Sequence, residues 1–263
     1  MDNLNIKIPY SFLLSNTPFP ISGVGTLVSP QLRELYSSSL NWQNYIFLQT
    51  IVKGEVKDIL KLVSLIYSSG ADFSSVKLNK FDIIVNIPFL RDTLTQALSL
   101  FFINSIAYVS DQEVFVFKSL PSGAQAQHKE QIEGCMTREN YELYFNLILQ
   151  LMHAEAAEKP VAEDLSDKPP EVLKALATLD KYMSQEQNTS SKNYQLDNII
   201  SKISVANIGY NLLNIYDLTL WQLLEQFQSY TQMRLASIAE RSYSVWGGDE
   251  FDYELWLKNN NSN

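Results

Sequence analysis

The stretch Ala154–Pro170 (AEAAEKPVAEDLSDKPP) constrains this chain more than any other. It is rich in alanine, proline and charge and almost without large apolar residues, so it cannot bury enough surface to offset the entropy of ordering it. It reads as an exposed linker between two parts of different character, and Ser184–Asn193 reads as a second, shorter one. The expected order is an α+β domain over residues 1–125, a connecting helix region over 126–153, the linker over 154–170 and a helical region over 171–263. The fold class that follows is mostly α with a small β component, an α+β N-terminal domain being followed by a helical C-terminal region.

Before the linker, punctuation by Pro9, Pro18, Pro20, Gly23, Gly25 and Pro30 breaks the first segment into short pieces. Ser11–Leu14 and Val24–Val28 read there as extended runs, and Gly23-Val24-Gly25 as a turn, since it lacks the third glycine of a nucleotide loop and a helix directly after it. Ser29-Pro30 suits a helix start, a capping hydroxyl before a proline at the first position. Leu32, Leu35 and Tyr36, then Trp42, Tyr45, Ile46 and Leu48, continue at helical spacing, and a further helix is expected over Glu55–Tyr67. Phe81–Ile87 is β-branched and bounded by Pro88, and reads as a strand. Arg91–Ile103 reads as a helix, and Ile106–Val109 with Val114–Phe117 as a hairpin around Ser-Asp-Gln-Glu. Thr137 is placed to cap a helix over Arg138–Met152.

After the linkers the pattern is helical. Leu196–Ile208 ends at Gly209, and Asp217-Leu-Thr219 opens the longest helix, with Thr219-x-x-Gln222 fitting a capping box. Asp249–Lys258 reads as a last short helix carrying Phe251, Leu255 and Trp256. Between these lies Asn207–Trp221, in which Asn211, Asn214 and Asp217 alternate with Ile, Leu, Tyr and Trp. Such side chains bond to nearby backbone in turns, so the three residues are assigned to a structural corner.

Chemistry is sparse. Of 263 residues one is cysteine and two are histidine, which excludes a disulfide framework, a multi-cysteine zinc site and an all-histidine metal cage. His128, in a polar stretch, and His153, at a helix end, read as solvated; Cys135, after Gly134 in a short connector, reads as a small, partly buried thiol. No base stands beside a nucleophile, so no catalytic residue, cofactor site or metal site is assigned, and the chain is read as a non-enzyme. The one foothold for a metal enzyme is the carboxylate group Asp249, Glu250, Asp252 and Glu254, and two of these fall at a helix start, where acidic side chains suit the macrodipole. Residues 247–251 also spell Gly-Gly-Asp-Glu-Phe, the diguanylate cyclase signature, but the surrounding α/β pattern and phosphate-site residues are missing and the match is coincidence.

With 20 Lys and Arg against 29 Asp and Glu, the net charge is −9 and the pI near 4.8, which argues against a protein that tracks phosphates, so no nucleic-acid partner is expected. No membrane partner is expected either, because apolar runs such as Leu98–Ile103 fall far short of the ~20 residues of a membrane span. The first residues hold Asp2 and no apolar run of signal-peptide length, so secretion is not expected.

Three segments together are similar to tail assembly chaperones of long-tailed bacteriophages and prophage elements of Gram-positive bacteria. Val24-Gly-Thr-Leu-Val-Ser-Pro-Gln-Leu-Arg-Glu34 resembles an N-terminal VGT…SPTLREI pattern, and Met136-Thr-Arg-Glu-Asn-Tyr141 resembles an NRENFDE helix start. Gly209-Tyr-Asn-Leu-Leu-Asn-Ile-Tyr-Asp-Leu-Thr-Leu-Trp-Gln-Leu223, the most specific of the three, resembles YNLFNIWDLTIYQL. The linkers depart from the family in being longer and less basic. The resemblance implies a non-enzymatic protein of the host cytoplasm that binds the tape-measure protein, a long apolar helical chain, and keeps it soluble until tail-tube subunits polymerise around it. Tyr216, Trp221, Phe227, Trp246 and Trp256 are then the expected protein-binding anchors, and self-association into a homo-oligomer is compatible with the role. The alternative is a structural subunit of a tail or baseplate retained in the virion.

Overall fold

Hydrophobic spacing and a few well-placed caps account for most of the elements in the computed structural model, which describes residues 6–67, 79–119, 131–153, 195–206 and 209–246. The chain divides into two units. The first takes in residues 1–157 together with 216–222, and the second takes in 158–215 and 223–263. The fold class is mostly α with two small antiparallel sheets, helices and strands mixing in the N-terminal part and helices following in the C-terminal region.

In the first unit, Tyr10–Ser15 (α1) is a short helix rather than the extended run expected at Ser11–Leu14. The Pro9 carbonyl accepts from the amides of Phe12 and Leu13, and Asn16, at φ 52°, turns the chain out of the helix. Strands Phe19–Ile21 (β1) and Gly25–Leu27 (β2) follow as a hairpin whose turn holds Gly23 at φ 78°. Leu32–Leu35 (α2) begins at Gln31, whose own capping box with Glu34 takes over the start expected of Ser29-Pro30. Ser39–Lys53 (α3) is capped by the Ser38 hydroxyl, which accepts from the Asn41 amide at 3.1 Å. Its buried Asn44, Tyr45, Phe47, Leu48, Ile51 and Val52 recur every three to four positions, the stripe of a helix covered on one side. Val56–Tyr67 (α4) comes next.

Lys80–Asn86 (α5) is a helix where a strand was expected. Asn79 caps it, its carboxamide oxygen accepting from the Asp82 amide at 2.7 Å, and Phe81, Ile83, Ile84 and Val85 are all buried. A helix covered nearly all round shows the same unbroken apolar run as a buried strand. Pro88 is not a strand terminator but the first residue of the next helix, Pro88–Leu98 (α6), which ends earlier than the expected Ile103. The hairpin Ser105–Val109 (β3) and Val114–Lys118 (β4) is joined by Ser110–Glu113, with Glu113 at φ 52°.

A third strand, Ile132–Met136 (β5), pairs with β4 and makes it the central strand, its Phe115, Val116 and Phe117 all buried. Cys135 therefore lies on a strand, not in a connector. Gly134 bridges Gly23, and a Cβ at Gly134 would overlap the Val24 backbone, so only glycine lets the two sheets approach here. Buried Asn104 adds a second link, accepting from the Thr26 amide and donating to Glu133, both at 2.7 Å. Helix Tyr141–Leu151 (α7) starts after Asn140, not at Thr137; Asn140 closes a turn by accepting from the Thr137 amide at 2.7 Å and donating to the Cys135 carbonyl at 2.9 Å. Helix α3 packs against α2, α4, α6 and α7, and Tyr144 of α7 stacks on Phe117 of β4, so this helix set and the sheet share one core.

In the second unit, Leu196–Val205 (α8) is capped at its end by Ala206, ahead of the expected Ile208–Gly209. A 3-10 turn, Ile215–Asp217, precedes Leu220–Trp246 (α9), the longest of the described helices, whose first residues to Gln222 belong to the first unit. The linkers 154–170 and 184–193 and the helix expected over 249–258 lie outside the described residues.

Candidate functional site

Residues 216–222 are the part of the C-terminal sequence that the fold seats in the first unit. A helix start leaves its first amides without partners in the helix, and here each of the first three finds one. Leu220 N–H donates to the Pro30 carbonyl at 2.8 Å, Trp221 N–H to the Ser29 hydroxyl at 3.3 Å, and Gln222 N–H to the Thr219 hydroxyl at 3.1 Å. The Gln222 side chain accepts in return from the Thr219 amide at 3.0 Å, completing the capping box expected from the sequence. Ser29 and Pro30 thus serve α9, nearly two hundred positions on, rather than the helix that follows them.

Leu32 N–H donates to the Leu218 carbonyl at 2.9 Å, so that Gln31 stands opposite Thr219 in an antiparallel bridge. Leu218, Thr219, Leu220 and Trp221 are all buried, Trp221 at 3% exposure. Its ring meets Tyr10 edge-on at 5.3 Å and lies 5.4 Å from His153, which is itself half-buried. Tyr216 meets Tyr36 edge-on at 5.7 Å, and Tyr36 stacks on Trp42 at 4.8 Å. Asp217 pairs with Arg33, and Gln222 donates to the Leu14 carbonyl at 2.7 Å.

Of the residues assigned to the corner, Asp217 acts in this seat. Asn211 and Asn214 act in the second unit, where Asn211 accepts from the Leu213 amide and Asn214 from the Asn211 amide, both at 2.8 Å. The turn they close leaves Leu212 63% and Leu213 89% exposed, and Val205 is 80% exposed. Large apolar side chains left this open are the informative departure from ordinary burial.

Of the five anchors expected from the resemblance, Trp221 is thus interior and Tyr216 half-buried against Tyr36; Phe227 is half-buried on α9. Trp246 is the last residue of α9, with its side chain outside the description, and Trp256 lies outside the described residues, as do His128 and the carboxylates at 249–254. Sequence reasoning missed Arg33 and Tyr10, whose partners lie far along the chain, assigned the Ser29 hydroxyl to the helix after it rather than to α9, and missed the leucines at 212 and 213. Adjacent leucines between two turn-forming asparagines were the available signal for the latter.

Elsewhere, an open cleft of about 320 Å³ is lined by Arg91, Asp92, Thr95, Gln96, Tyr108 and Ser110, with the Arg91 guanidinium 4.7 Å from the Tyr108 ring centre. Among the described residues, no group of three or more His, Cys, Asp or Glu side chains is placed to hold a metal ion, and no helix is long and apolar enough to cross a membrane.

Residues 185–261 match the family described as the YomV second domain, which is associated with phages and prophages. No curated protein and no solved structure matches the chain.

Proposed function

We propose that this chain is a non-enzymatic phage tail assembly protein that acts in the host cytoplasm, binding the tape-measure protein and keeping it soluble while the tail tube polymerises. The observation that carries the reading is the match of residues 185–261 to a phage-associated family. That region contains Gly209–Leu223, the segment most similar to tail assembly chaperones. Physical chemistry supports it from the other side. A long amphipathic helix free in the cytosol aggregates unless its apolar stripe is covered, and exposed leucines such as Leu212 and Leu213 supply apolar surface for that contact. A net charge of −9 helps keep the loaded complex in solution.

Co-expression with the tape-measure protein of the same genome tests the proposal. The tape-measure protein is expected to move from the pellet into a soluble complex with this chain. A double substitution, Leu212→Asp with Leu213→Asp, should reduce that soluble yield at least several-fold while leaving the chain folded, because both side chains are already in solvent. A tape-measure protein whose solubility is indifferent to this chain would rule the reading out.

A further inference from the structure

The cleft beside α6 is lined by side chains that carry polar groups. Arg91, Asp92, Thr95 and Gln96 come from one face of that helix, and Tyr108 and Ser110 from the end of β3 and the turn after it. Its volume of about 320 Å³ is that of a site for one small molecule. The Arg91 side chain is only 25% exposed, and its guanidinium lies 4.7 Å from the Tyr108 ring centre. A guanidinium held against a ring keeps its N–H fork in its own plane, where it matches a carboxylate. Among the described residues the one carboxylate that pairs with it is Asp92, 3.6 Å from Nε, longer than the roughly 2.7–2.9 Å of a charge-assisted hydrogen bond. Asp92 is 70% exposed, and a pair so long and so wet contributes little. A mostly buried cation is thus left without a close counter-charge. A bare anion would answer it poorly, because Asp92 stands beside it and the whole chain carries −9. A ligand that brings a carboxylate for Arg91 and an ammonium for Asp92 satisfies both and adds no net charge.

We propose that this cleft binds a free α-amino acid with a polar, uncharged side chain, its carboxylate on the Arg91 guanidinium and its ammonium on Asp92. The two charges of such a zwitterion sit on one carbon, as the two protein charges sit on adjacent residues. The remaining groups meet a polar side chain. The Gln96 carboxamide oxygen accepts from Asn44 at 3.4 Å, which leaves its N–H donors for the ligand. The Thr95 hydroxyl donates to the Arg91 carbonyl at 2.9 Å, which leaves its oxygen as an acceptor. The site stands apart from the proposed function and does not need a tape-measure protein.

The test titrates the full-length chain, carrying isotope-labelled tyrosine, with L-glutamine and follows the Tyr108 ring resonances, identified by their loss in Tyr108→Phe. Saturable shifts with a Kd of about 1–10 mM are expected for a ligand of this size. N-acetyl-L-glutamine, which lacks the ammonium, and L-glutaminamide, which lacks the carboxylate, should each bind roughly tenfold more weakly. Arg91→Lys keeps the charge but not the fork and should weaken L-glutamine by about the same factor. Asp92→Asn should abolish the preference for L-glutamine over its N-acetyl form. The Asp92 side chain lies largely in solvent, so this variant keeps its fold and decides alone if Arg91→Lys does not fold. Absence of saturable Tyr108 shifts in the wild type overturns the site. N-acetyl-L-glutamine bound as tightly as L-glutamine, or a preference that survives Asp92→Asn, overturns the zwitterion as its ligand.

Discussion

Tyr45 shows how a single side chain sets a limit on conditions. Its phenol is buried in α3, and burial pushes its pKa up from 10.0 to about 12. Burial does the same at Tyr141, to about 12 with the Glu142 carboxylate adding to it, and raises Tyr144 further. In the unfolded chain these groups ionise near pH 10, whereas in the folded chain they hold their protons. The unfolded state therefore binds fewer protons across that window, and stability falls as pH rises. The stability contributed is complete below pH 10 and is lost between pH 10 and about 12, Tyr45 alone accounting for about 2–3 kcal/mol. Urea midpoints measured at intervals from pH 8 to 12 should be flat and then fall steeply above 10. Tyr45→Phe should make the fall shallower; an identical slope would show that its phenol ionises as freely folded as unfolded.

Elements were legible where a local rule decides them and illegible where distant packing does. The hairpin of β3 and β4 could be read because β-branched and aromatic residues flank a four-residue polar turn, and both features act within a dozen positions. The Thr219–Gln222 capping box could be read for the same reason, and it gives a direct prediction. Thr219→Ala should cost about 1 kcal/mol, seen as a lowered urea midpoint with an unchanged slope. No change in midpoint would mean that the Pro30 and Ser29 acceptors hold the helix start unaided. Helix α5 could not be read, since Phe81, Ile83, Ile84 and Val85 are buried on too many sides to leave a helical period, and Asn79 was the one cue to its start. Helix α1 failed differently. Its six residues bury only Leu13, so almost no pattern exists to detect. Lys80 illustrates a third limit. It donates to the carbonyls of Ile51 and Val52 at the end of α3, and burial lowers its pKa, a link between helices that no window along the sequence contains.

At the scale of the molecule, the chain order and the unit order part company. A reading along the sequence divides this protein at its polar linkers, but residues 216–222 return to the first unit after the second has begun. The reason is physical: Ser29, Pro30 and Leu32 supply the partners that a helix start and an extended edge require, and those partners are invisible until the chain is folded. The same return separates the candidate residues by environment. Trp221, expected as a protein-binding anchor, is enclosed, while Leu212 and Leu213 face solvent. Of the candidate site, the sequence exposed the segment Asn207–Trp221 as unusual but not which of its side chains point outward. The proposed role rests on that segment and on the phage-associated family match over 185–261, and it requires a transient rather than permanent association with the tail. Quantitative mass spectrometry of purified particles beside the lysate that produced them tests this most directly. A chain abundant in the lysate and missing from the particles is the expected result, and its presence in particles at a fixed stoichiometry would contradict the account and make it a built-in tail or baseplate subunit.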